Sequence, residues 1–101
     1  MFKFEIIMMS SFDSKVIALC RQLLDEYARC LREPTIVEKK LYWNSVLENI
    51  NMRIEFWHEQ DNSENVKLYL CRKQAWLALK KYGPNYLKKK LQRLESKGVS
   101  G

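Results

Sequence analysis

Tyr69, Lys73, Trp76 and Lys80 follow one another at steps of four, three and four residues, so a helix would stack them along one line. Ammonium groups neutralise phosphates and release their counterions, and aromatic faces stack on unpaired bases. Interleaved in this way, the four residues have the makings of a nucleic-acid contact. They fit still better a core-edge line of rings beside solvated lysines, and spacing alone leaves both readings open. Further along, Lys88, Lys89, Lys90, Arg93 and Lys97 surround a narrow edge of Leu87, Leu91 and Leu94. A helix with an apolar edge and a dense basic face can lie along a nucleic-acid backbone. It can also dock into an acidic groove of a partner protein, with the three leucines as anchors. An anionic membrane surface is a third use, for which this edge is narrow.

The basic residues are concentrated. Residues 66–101 hold ten Lys or Arg, Lys81 among them, against the single acid Glu95. Residues 1–65 hold eight against eleven acids, and the chain as a whole carries +6. No fold requires so one-sided a distribution, so it speaks of partners.

Other chemistries find little support. Acid–base or nucleophilic catalysis needs a base, a nucleophile and an orienting group to converge. The one histidine, His58, stands beside Glu59 with nothing in the spacing to complete a site. The chain has no glycine-rich phosphate loop, no HExxH and no CxxC. Glu48, Glu55 and Glu59 read as solvated carboxylates. We expect no catalytic residue, no metal and no cofactor. Cys20, Cys30 and Cys71 are an odd set without paired spacing. Ten residues of helix span about 15 Å, whereas disulfide-bonded Cα atoms lie within about 7 Å, so Cys20 and Cys30 are not a pair. The three are expected to be reduced core thiols, which places the chain in the cytoplasm or another intracellular reducing compartment. No apolar run approaches the roughly 18 residues of a membrane span.

The elements that would position these residues are helices. Three glycines and two prolines are too few for the turns of an all-β fold. A chain of 101 residues is one domain, expected here over residues 10–98. Residues 1–9 read as an extension without function, with Met9 as a natural second start. A first helix is predicted from about Asp13 to Arg32, with Val16, Leu19, Cys20, Leu23, Tyr27, Cys30 and Leu31 on one face and Pro34 as its stop. A second starts at the capping box of Thr35 and Glu38 and runs to Glu59. Its seam is Trp43, Leu47, Ile50, Ile54 and Trp57, extended backward by Ile36 and Val37. A third runs from about Glu64 to Tyr82, with a core stripe of Leu68, Cys71, Ala75, Leu79 and Tyr82. Gly83 fits the left-handed position that ends helices, and Pro84 follows it. The fourth, about half as long, should run from Asn85 to Lys97 and end at Gly98. Short links bring sequential helices together antiparallel. The expected fold is therefore all-α: an antiparallel bundle of three long helices plus a short basic C-terminal helix. Tyr42, Trp43, Phe56 and Trp57 spread over more than one face of the second helix, which suits either a helix buried on most sides or a homodimer surface.

Residues 87–99, Leu-Lys-Lys-Lys-Leu-Gln-Arg-Leu-Glu-Ser-Lys-Gly-Val, resemble the end of a recognition helix in winged-helix regulators, which often close on Leu-Glu-x-Lys-Gly and an apolar residue. The resemblance covers about thirteen residues. It departs from the pattern in two ways. Lys89 stands where such motifs want an apolar residue, and only three residues follow Gly98, which leaves no room here for a wing.

These observations converge on a non-enzymatic protein that binds nucleic acid through Lys73, Lys80, Lys81, Lys88, Lys89, Lys90, Arg93 and Lys97, with Trp76 or Tyr69 stacking on an exposed base. The contacts would be mostly to phosphates, which position a protein without reading sequence. The alternative is a small protein-binding regulator, an adaptor or inhibitor, docking its basic amphipathic helix on an acidic partner.

Overall fold

A computed structural model describes the backbone of residues 11–100 and the side chains of residues 12–96. The expected extension of residues 1–9, with its two candidate starts, lies outside the described residues. So does the Lys97 side chain. The described chain is all-helical: α1 (Ser11–Leu31), α2 (Ile36–Glu59), α3 (Ser63–Tyr82) and α4 (Pro84–Ser100). No helix is long and apolar enough to cross a membrane, among the described residues.

Local chemistry sets the corners. Thr35 caps α2 from an extended backbone, and its Oγ1 accepts the Glu38 N–H at 3.1 Å. The hydroxyl then donates to the Glu38 carboxylate at 2.9 Å, so the second half of the box closes on a side chain rather than on the Thr35 N–H. Asn62 caps α3 by accepting the Asn65 N–H at 3.0 Å. Asp61 before it has φ +53°, a left-handed conformation that a short polar side chain tolerates. Between α3 and α4 stands only Gly83, with φ +80° and ψ 177°. That is a different corner from the left-handed cap expected there, in a region of backbone space essentially reserved for glycine. Pro84, with no N–H to satisfy, opens α4. The fourth helix has 17 residues and passes through Gly98, so it is longer than expected. A helical glycine costs only about 1 kcal/mol relative to alanine and is not by itself a stop.

α1 and α3 each pack against all three other helices, whereas α2 and α4 make no contact among the described residues. Paired residues rise together along α1 and α3: Lys15 with Glu64, Glu26 with Arg72, Tyr27 with Trp76. Between α1 and α2 they run in opposite senses, with Tyr27 against Trp43 and the Cys30 thiol donating to the Lys39 carbonyl at 3.3 Å.

The core centres on three rings. Trp43 and Trp76 stack at 4.3 Å and 20°, and Tyr27 meets both edge-on at 6.4 and 6.3 Å. Trp76 is completely buried and donates its indole N–H to the Trp43 carbonyl at 3.2 Å, so the polar atom of this large side chain is satisfied. Leu23, Ile50, Leu79, Leu87 and Cys20 fill the remaining space. Nearby, the Arg72 guanidinium donates to Gln22 at 2.9 Å and to Glu26 at 2.8 Å, tying α3 to α1. The Trp57 indole N–H is buried with no hydrogen-bond partner among the described residues. Ile36 and Val37, expected to extend the α2 seam, are exposed, because the first turn of α2 lies at the corner where α1 has already ended. Tyr82, expected as the last core residue of α3, is also exposed, and the buried stripe stops at Leu79.

Candidate nucleic-acid interface

The orientation of α4 follows from its leucines. Leu87 is 1% exposed, and Leu91 and Leu94 pack against the same core. Their burial on α1 and α3 holds the helix down and turns Lys88, Lys89 and Arg93 into solvent. The acid of this helix, Glu95, pairs with Arg21 of α1. Lys88, Lys89 and Arg93 therefore have no carboxylate partner among the described residues. Lys90 is half-buried. Burial pushes the Cys20 thiol above its ordinary pKa, and the Lys90 charge opposes that rise.

The α3 stripe does not form the expected surface. Trp76, proposed from its spacing as a stacking residue, belongs to the core and has no free face; this part of the expectation is corrected by its complete burial against Trp43. Tyr69 is half-buried beside Leu68 and Arg72 in a hollow shared with Lys15 and Gln22 of α1. Lys73 is half-buried. Lys80 is exposed and sits 5.8 Å from the Trp43 ring of α2, which makes no contact with α4 among the described residues. The homodimer surface expected from the α2 aromatics also loses its centre, since Trp43 is buried in the core and Tyr42 is half-buried against it. Of those rings only Phe56 is exposed; the outer face of α2 carries aliphatic residues instead, Val37, Leu41 and Met52.

What the structure does bring together is a group the spacing did not single out. Tyr82, at the end of α3, and Tyr86, in the first turn of α4, stack across the Gly83 corner with ring centroids 5.0 Å apart and planes 29° from parallel. The Lys81 ammonium lies 5.3 Å from the Tyr82 ring centre, within cation–π range. Tyr86, Lys89 and Arg93 step by three and four residues and share one face of α4. The sequence signal was the two tyrosines four residues apart, but helical spacing says nothing across a break.

Elsewhere the described residues offer little reactive chemistry. Burial raises the pKa of Cys30 as well, with Glu33 adding to the rise and Lys39 opposing it, so both deep thiols stay protonated and weakly nucleophilic at neutral pH. His58 is exposed, and no three His, Cys, Asp or Glu side chains converge as a metal site among the described residues. Compared with known proteins, the chain matches no family, no curated protein and no solved structure.

Proposed function

We propose that this chain is a non-enzymatic nucleic-acid-binding protein that grips phosphates through Lys81, Lys88, Lys89 and Arg93. The observation that carries the reading is the pinned α4: its leucines are packed on the core, its acid is turned to Arg21, and Lys88, Lys89 and Arg93 are exposed with no carboxylate partner among the described residues. Cations held outward on a packed helix release counterions on meeting a polyanion without any ordering of a tail. In this reading α1, α2 and α3 form the antiparallel bundle of long helices, and α4 is the contact surface laid on it. Three free thiols suit an intracellular reducing compartment. The alternative, docking onto an acidic protein through Leu87, Leu91 and Leu94, has lost its anchors to the protein's own core.

The test is fluorescence anisotropy with labelled oligonucleotides over a salt series. A log–log slope of about −3 to −5 is expected, at roughly 0.7 to 0.9 per phosphate contact. Replacing Lys88, Lys89 and Arg93 together by Gln should flatten that slope by about two to three units. Absence of binding at low salt would remove nucleic acid as the partner.

A further inference from the structure

We propose that the Tyr82–Tyr86 pair is a base-stacking platform, and that the ligand of this surface is therefore single-stranded rather than duplex nucleic acid. The inference rests on the phosphate-binding reading above and adds the class of strand.

Large exposed rings are usually isolated or turned onto a core, and these two do neither. Tyr82 is 57% exposed and Tyr86 47%, yet they lie against each other. The arrangement depends on Gly83, whose conformation at φ +80° lets α3 end and α4 begin within a single residue, setting two rings from different helices side by side. Lys81 attends the Tyr82 ring. Tyr86 has no further ring or cation–π contact among the described residues. Tyr86, 47% exposed, leaves the pair as a stack with aromatic surface in solvent. A nucleobase can continue it, because every base has a π-face to offer. Lys89 lies about 4.5 Å and Arg93 about 10.5 Å further along the same face of α4, at 1.5 Å of rise per residue. A base resting on Tyr86 would thus bring its flanking phosphates over those two cations. In a duplex, interior bases already stack on their neighbours, and only a terminal pair could reach the ring.

Two probes separate the proposal from its parent: a labelled dT15 strand, and a labelled hairpin duplex whose loop is closed by a non-nucleotide linker and whose open end is capped. The wild type should bind dT15 more tightly than the capped duplex at equal salt. Tyr86→Leu should weaken dT15 binding by roughly five- to hundredfold, at unchanged salt slope, and leave the duplex unaffected; stacking on an aromatic residue is worth about that much per base. Tyr86→Phe should restore dT15 binding, since the ring and not the hydroxyl is required. Ring-proton shifts of Tyr82 and Tyr86 on titration with dT15 read the stack in the unsubstituted protein. Equal loss on both probes, a changed salt slope, or unmoved ring resonances would overturn the platform while leaving phosphate binding standing. Failure of the wild type to bind either probe would overturn both.

Discussion

Replacing Gly83 by alanine isolates the backbone on which the α3–α4 corner depends. The residue sits at φ +80° and ψ 177°. A non-glycine residue held in so sparsely populated a region costs on the order of 1–3 kcal/mol. A Cβ added there meets nothing within 4 Å, so the cost carries no steric or repacking contribution and comes from the backbone alone. In a domain of this size, 1 kcal/mol moves Tm by about 4–8 °C, so Gly83→Ala should melt roughly 5–20 °C below the wild type by far-UV circular dichroism. Gly98 is the internal comparison. It lies inside α4, where alanine is the better helix former, so Gly98→Ala should leave Tm unchanged or raise it by a few degrees, a gain of at most about 1 kcal/mol. The two substitutions add the same atom, and only Gly83→Ala should lower Tm. A Gly83→Ala protein melting within 2 °C of the wild type, about the effect of a few tenths of a kcal/mol, would refute the corner as described.

Other substitutions test other parts of the fold. Trp57→Phe removes a buried N–H that has no partner among the described residues, so its midpoint in urea should shift by no more than about 1 kcal/mol, the lost ring area being offset by the lost desolvation penalty. Trp76→Phe, which strands the Trp43 contacts and opens a void in the core, should cost about 2–4 kcal/mol in the same assay. Leu87→Ala should cost about 2–5 kcal/mol and release α4, which limited proteolysis would register as new cleavage after Lys88 or Lys89. The raised thiol pKa values give a signed pH dependence. Above the ordinary value of 9.0 the unfolded chain gives up thiol protons that folded Cys20 and Cys30 retain, so stability declines as pH rises, and below it these groups have no effect. Urea midpoints at pH 8 and pH 10 should therefore differ less in Cys20→Ala than in the wild type; an identical difference would show that the thiol is not desolvated.

Much of the architecture was legible because it depends on local chemistry. Thr35 and Glu38 announced the start of α2, and Gly83 with Pro84 announced the break after α3. The three-and-four spacing of Val16, Leu19, Cys20 and Leu23 identified the buried face of α1. The site was less legible, for a reason visible in α3. This helix packs against all three others, so most of its circumference is near something, and periodicity alone could not tell the buried line from the solvent line. Trp76 was left open between a stacking surface and the core edge and is fully in the core, whereas Tyr82 was expected in the core and lies outside it. The end of a helix is also where periodicity fails, because the neighbours that would cover the next residue have run out. α4 shows the opposite case: its single narrow leucine edge admits only one way down, and the lysines followed from it.

The one-residue joint at Gly83 also has a kinetic consequence. A basic tail on a flexible linker must search for its partner and then order itself, and part of each encounter is lost in that second step. α4 is seated on the protein and aimed before any polyanion arrives, with Pro84 stiffening its first residue. On the nucleic-acid reading proposed above, its encounters with a strand should be single-step and fast, quickened by the concentrated positive field. The observed association rate should rise linearly with oligonucleotide concentration, with no plateau from a slower isomerisation. Added salt should act on this protein by slowing the approach of the strand, where on a disordered tail it would also loosen a conformation.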